Sequence, residues 1–244
     1  MRCLLLVLGA GAVPETGTPN LDRLARRGVC GLYHPIRPGT ALPEAAAVAL
    51  MLGYGRHEIP GAGYVQALGQ GIPLAEGDVA LLARLVTVRV QGDLLVLEDE
   101  APRLGPHEAG ALLAAAGGLR KDHVELELHP GDGPTGVLIL RGEVSSHVTD
   151  AHPGSVGRAL LEVRPTAGFE EEPGAVRAAS LLNIYLRLAN FRLQGHPLNG
   201  ERRRRALPLV NAVVTEGAGT RLRVPSFEAR WGPVSYTHLR AHET

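Results

Sequence analysis

Two short stretches hold the side chains with the means to do chemistry. Arg202-Arg203-Arg204-Arg205 is the only concentrated positive charge in the chain, and a guanidinium presents a planar fork to the oxygens of a phosphate or carboxylate. Its plain alternative is a solvated basic helix end following Gly200-Glu201. Ser146-His147-Val148-Thr149-Asp150-Ala151-His152 gathers His147, Asp150 and His152, which are metal-ligand types at a spacing that matches no zinc pattern. A substrate or hinge contact and an ordinary turn are the other readings of this stretch. Two further residues have split readings. His196 precedes Pro197 after a helical segment, where an imidazolium favours the negative end of the helix dipole. Asn211 lies on a strand and can bond either a neighbouring loop or a ligand.

The elements that must carry these residues follow from apolar periodicity and from glycine and proline. Residues 2–8 are a continuous apolar run closed by Gly9-Ala10-Gly11, the pattern of a buried parallel strand. Thr18-Pro19 then caps and opens a helix that Gly28 ends. A second helix is expected over 43–52, and the Gly/Pro-rich 60–77 reads as loops and a linker. Beyond it, strands are expected at 79–90, 93–97, 124–129 and 136–141, with a helix at 106–116. Val176, Ala179, Ile184, Leu188 and Phe191 recur at helical spacing over 174–193, where Gly195 and Pro197 stop the helix. A strand at 207–215 is expected to return to the first sheet. Residues 234–244 break every earlier register and have the character of a non-native tail.

Composition narrows the classes. Of 244 residues, 45% are hydrophobic, enough for a packed core. Lys+Arg and Asp+Glu are each 25, so no overall field draws the chain to nucleic acid or membrane. Lys121 is the sole lysine, which excludes a Walker phosphate loop and leaves arginine to handle anions. Cys3 and Cys30 make no disulfide framework, and the opening apolar run is too short for a signal peptide. A cytoplasmic protein is expected.

Thr18-Pro19-Asn20-Leu21-Asp22-Arg23-Leu24-Ala25, Leu52-Gly53-Tyr54, Ala67-Leu68-Gly69, Glu76-Gly77-Asp78-Val79-Ala80, Leu138-Ile139-Leu140-Arg141-Gly142 and Val148-Thr149-Asp150 occur in an informative order. They continue as Leu182-Asn183, His196-Pro197-x-Asn199-x-Glu201-Arg202-Arg203-Arg204, Leu207-Pro208, Asn211, Gly217-Ala218-Gly219 and Pro225-Ser226-Phe227. Over nearly all of residues 1–232 this series resembles the cofactor-independent phosphoglycerate mutases of the archaeal type, in the alkaline phosphatase superfamily. The resemblance implies an α/β fold whose alkaline-phosphatase-like core sheet has helices on both faces. That core is expected from residues 1–73 and 207–232, interrupted by an α+β insertion domain at 74–206, with its C-terminal third lacking. The activity implied is the glycolytic interconversion of 3-phosphoglycerate and 2-phosphoglycerate through a phosphoserine and two divalent cations, Mn²⁺ or Mg²⁺. The implied partner is a small phosphorylated acid, neither nucleic acid nor membrane.

Matched residue by residue, the resemblance also implies a degenerate and truncated site. The family's metal-binding Asp at the end of the first strand corresponds to Gly9, its nucleophilic Ser to Glu44 and the adjacent Asp to Ala45. Phosphate-contacting arginines correspond to Ala62 and Glu216. Loss of a nucleophile costs about 10⁶-fold in rate, so no catalytic residue and no metal or other cofactor is expected in this chain. The substrate-binding set expected is Arg202, Arg203, Arg204, Asp150, His147 and Asn211. A non-catalytic phosphoglycerate-binding or regulatory paralogue is the alternative, and a metal-dependent phosphohydrolase of the same superfamily a third.

Overall fold

The computed structural model describes residues 19–29, 31, 33, 34, 36, 37, 42 and 44–232. The expected strand at 2–8, both cysteines, Gly9 and the tail lie outside the described residues. The chain divides into two compact units, Met1–Ala41 and Leu42–Thr244. In the first, α1 (Pro19–Arg27) opens on proline as predicted, and Arg23 donates to the Asn20 carboxamide at 3.1 Å.

The second unit runs α2 (Glu44–Met51), α3 (Ala62–Gly69), β1 (Val79–Gln91), β2 (Leu94–Asp99), α4 (Pro106–Ala116), β3 (Leu119–Lys121), β4 (Val124–Pro130), β5 (Thr135–Arg141), α5 (Pro173–Gln194), α6 (Pro197–Arg204), β6 (Ala212–Thr220) and α7 (Phe227–Trp231). All strand pairs are antiparallel, in the order β2-β1-β5-β4-β3, with β6 on β1. Leu81, Ala83 and Leu85 of β1 and Leu138 and Leu140 of β5 face α4 and α5, burying Leu112, Leu113, Leu182, Tyr185 and Leu193. Ala80, Val137 and Ile139 face the other way, onto Ala67 of α3 and Ile72 and Leu74 beyond it. The mixed α/β sheet is therefore clad on both faces, which is why β5 reads as an unbroken apolar run rather than an alternation.

Three expectations are corrected. Residues 62–69 are a helix, because Gly63 brings α3 against β1: a Cβ there would sit 2.5 Å from the Leu81 nitrogen. Pro197 does not merely end α5. It occupies the first turn of α6, whose N-cap His196 accepts from Leu198 N–H through Nδ1. The strand expected at 207–215 begins later and pairs with β1. It thereby joins the sheet built from the segment read as an insertion.

Asn211 explains the late start of β6. Its carboxamide takes Val88 N–H at 2.9 Å and gives to Val88 C=O at 2.9 Å, standing in for a rung of the ladder. Asn183 does the same to Val163, at 3.0 and 2.8 Å. Asn199, fully buried, binds both groups of Val210, at 2.9 and 2.8 Å.

Farther along the second unit, α7 closes over the turn after α2. Arg230 bonds Glu58 and the Gly53 carbonyl and lies 4.5 Å above the Tyr54 ring, while Trp231 donates to Leu52 C=O. The Leu52-Gly53-Tyr54 signature is thus a docking turn. No helix among the described residues is long and apolar enough to cross a membrane.

Candidate functional site

β6 carries one residue more than β1 between the pairs Ala80↔Gly219 and Leu82↔Glu216. The extra residue makes a β-bulge in which Gly217 adopts φ 64°, a left-handed conformation that glycine enters without penalty. The bulge turns the Gly217 N–H out of the ladder, and the Asp150 carboxylate accepts it at 2.7 Å. Ala151 N–H meets Thr215 C=O at 2.8 Å, so the Val148–Asp150 loop is stitched along this edge of β6. Against the same bulge rests the first turn of α3: a Cβ on Gly217 would lie 2.9 Å from the Ala62 Cβ, and one on Gly219 2.5 Å from the Gly61 nitrogen. The Gly61-Ala62 and Gly217-Ala218-Gly219 segments, distant in sequence, therefore pack together at close backbone range.

The charged groups here are Arg84 from β1, Glu216 and Asp150. Arg84 Nη2 donates to Glu216 at 2.9 Å across the two strands. The Asp150 carboxyl is pushed above its ordinary range chiefly by desolvation, opposed by the Gly217 N–H, and reinforced by the nearby charge of Glu216, with His152 acting weakly the other way. A raised value in the fold means that Asp150 stabilises the protein when protonated, and that this is lost as pH rises from 3.8 through the higher folded value. Asp150→Asn keeps an acceptor for Gly217 and removes the charge. We expect the variant to be at least as stable as the parent at pH 7 and to lose this limb of the pH–stability curve. Chemical denaturation between pH 4 and 7 measures it, and a variant distinctly less stable at pH 7 would show that the charge itself is required.

His147 belongs to a different cluster. Its Nδ1 lies 2.9 Å from Glu172 Oε2 and its ring stacks on Phe169 at 3.5 Å, while Ser145 Oγ donates to the same carboxylate oxygen at 3.0 Å. The His147 hydrogen bond, and after it that of Ser145, holds Glu172 below the usual carboxylate range against some desolvation. Glu172 is the N-cap residue of α5, so the cluster ties the loop leading to Asp150 to the start of that helix. This is a positioning arrangement for the loop. Among the described residues no group of three or more His, Cys, Asp or Glu could hold a metal ion, and His147, Asp150 and His152 do not converge on one point: His152 bonds Gly154 N–H and lies 3.6 Å from Glu100.

The other expected contacts separate. Arg202 is 6% exposed and points inward, where Nε donates to Pro208 C=O at 2.7 Å and Nη1 to Glu108 at 2.7 Å. Asn211 is likewise committed to Val88. Both hold the fold instead of facing a ligand, because a guanidinium or carboxamide at the end of a helix or strand satisfies carbonyls that would otherwise be buried without donors. Arg203 and Arg204 are exposed. Glu44 is the first residue of α2. Sequence reasoning missed Arg84, although it is the one charge within the apolar run 79–88, a position that calls for a partner. Glu172 and Phe169 carried no comparable signal.

A family model for 2,3-bisphosphoglycerate-independent phosphoglycerate mutase matches residues 25–199. The mutase of that name from Methanopyrus kandleri is 38% identical over 95% of this chain and 58% of its own length. One from Methanocaldococcus jannaschii is 34% identical over 91% of this chain and 54% of its own. Among solved structures, the cofactor-independent phosphoglycerate mutase of Thermoplasma acidophilum aligns with TM-score 0.57 and 26% identity over 76% of this chain and 49% of that one. A Pyrococcus horikoshii protein, at 24% identity and TM-score 0.59, shares the fold. The chain spans about half the length of the curated relatives it matches.

Proposed function

Because this chain belongs to the 2,3-bisphosphoglycerate-independent phosphoglycerate mutase family, we infer that it holds a small phosphorylated acid such as 3-phosphoglycerate without performing phosphoryl exchange through a phosphoserine. One observation carries the second half of this reading: the residue that opens α2, at the place where the resemblance puts the nucleophilic serine, is Glu44, followed by Ala45. A carboxylate can accept a phosphoryl group only with a partner site that neutralises the transferring charge. The described residues do not fit a divalent cation, since they include no group of three carboxylate, thiol or imidazole side chains able to hold one, and Gly9 has no carboxylate to offer. No step is assigned to a metal.

Binding is supported by what the scaffold keeps. Asp150 is held on the bulge of β6, and Arg203 and Arg204 stand exposed in the last turn of α6, each carrying a guanidinium of the type that meets phosphate oxygens. The test is conversion of 3-phosphoglycerate to 2-phosphoglycerate with Mn²⁺ or Mg²⁺ supplied. We expect no product above the blank. Turnover that disappears in Glu44→Ala would overturn the reading, and release of inorganic phosphate in the same mixture would move the chain to the phosphohydrolases. Calorimetry with 3-phosphoglycerate before and after Arg203→Ala tests the binding half, with an expected weakening of about tenfold for one charge-assisted contact.

A further inference from the structure

We propose that Arg84 is an anion-binding residue and that Glu216 is a built-in competitor, an internal carboxylate occupying the guanidinium until a ligand's phosphate or carboxylate displaces it. The inference rests on the binding half of the proposed function and adds a residue and a mode of control to it.

Three observations lead here. The pairing of Arg84 with Glu216 is single-pronged: Nη2 alone donates, to Glu216 Oε1 at 2.9 Å. Arg84 Nε is shielded from solvent and has no hydrogen-bond partner. A guanidinium offers Nε–H and Nη–H as a parallel pair matched to two oxygens of one phosphate or carboxylate, so the internal carboxylate leaves unfilled the half of the fork that most needs an acceptor. Finally, the pair stands where a ligand can exchange with it. Both side chains are partly accessible, at 35% and 28%, and Glu216 directly precedes the bulge whose Gly217 N–H already holds one carboxylate, that of Asp150.

Competition follows from charge. With Glu216 in place, the groups at the bulge are one guanidinium and two carboxylates, which repel an incoming anion; with Glu216 turned away, the ligand takes its position on Nη2 and adds the bond to Nε. No new cation is required.

The prediction has an unusual sign: removing a residue beside the site tightens binding. Glu216→Gln keeps size and hydrogen bonding and lowers the anion's competitor, so affinity for 3-phosphoglycerate rises about fivefold, and Arg84→Gln weakens it at least about tenfold, as loss of a charge-assisted bond requires. Calorimetry with 3-phosphoglycerate, inorganic phosphate and glycerate on the full chain reads both effects and separates phosphate from carboxylate as the group bound. In the unaltered protein, the Arg84 Nε–H resonance should shift on phosphate titration, a readout independent of whether any variant folds. Binding of 3-phosphoglycerate that is indifferent to Arg84→Gln and to Glu216→Gln sinks this inference while leaving the proposed function standing. Phosphate binding that depends on Arg84, with no binding of 3-phosphoglycerate, does the reverse. Absence of binding by all three anions in both the parent and Glu216→Gln, with no shift at Nε–H, overturns it as well.

Discussion

Replacing Arg202 by methionine is expected to lower stability by about 3 kcal/mol, because removing this buried guanidinium strands the carbonyls it satisfies together with the half-buried Glu108 carboxylate. Arg202 reaches Glu108 on α4, Pro208 C=O before β6 and, more loosely, Arg103 C=O at 3.4 Å. One side chain therefore supplies donors to three segments that no strand ladder joins. For a unit of this size the loss corresponds to a fall of roughly 6–12 °C in Tm, read by thermal unfolding. Glu108→Leu added to Arg202→Met should recover part of it, since the stranded carboxylate is then gone as well. A single variant within about 0.5 kcal/mol of the parent would return Arg202 to the list of free surface charges and reopen its role as a ligand contact.

The second large effect belongs to a residue with no side chain. Gly63→Ala places a methyl group on the backbone of Ala80 and Leu81, at the seam where α3 lies on β1. Backbone cannot rotate out of the way as a side chain can, so α3 must lift from the sheet and uncover Ala67, Val137 and Ile139. A loss of about 3 kcal/mol or more is expected, comparable to severe overpacking. Gly110→Ala, in the middle of α4 with nothing within 4 Å of the added carbon, is expected to stabilise by about 0.5–1 kcal/mol through helix propensity. Denaturant unfolding of the two variants side by side makes the comparison, and equal effects would mean that close backbone approach is not what Gly63 provides.

These two residues also mark the limits of reading the chain unaided. α4 was legible end to end because Pro106 opens it and Gly105 and Gly117 bound it from outside. α3 was not, because its glycines lie within it and serve contact distance, a purpose that looks like loop composition until the opposing strand is known. α6 was hidden in the same way by a proline that starts a helix as readily as it stops one. At the candidate site, Asp150 stood out in the sequence as an expected substrate contact, but the partner the fold gives it is a backbone N–H liberated by a bulge more than sixty residues away, and side-chain chemistry carries no trace of that. Arg202 and Arg203 are neighbours of identical type, one 6% exposed and the other at the surface. Only the phase of α6 against α4 distinguishes them. Arg84 is the opposite case, a visible anomaly in an apolar strand whose partner could not be guessed.

The three carboxamide clamps at Val88, Val163 and Val210 have an effect on how the chain avoids mistakes. Each reads a donor and an acceptor of one peptide residue at once, and the two ends of an amide are not interchangeable. A segment that docked one position out of step would show the asparagine a peptide edge pointing the opposite way, leaving two polar groups unmatched in a dry interior. Misalignments that hydrophobic residues such as valine and leucine would tolerate are thereby made intolerable, so these asparagines act as proofreaders of assembly where no strand ladder joins the asparagine's own segment to the valine it clamps.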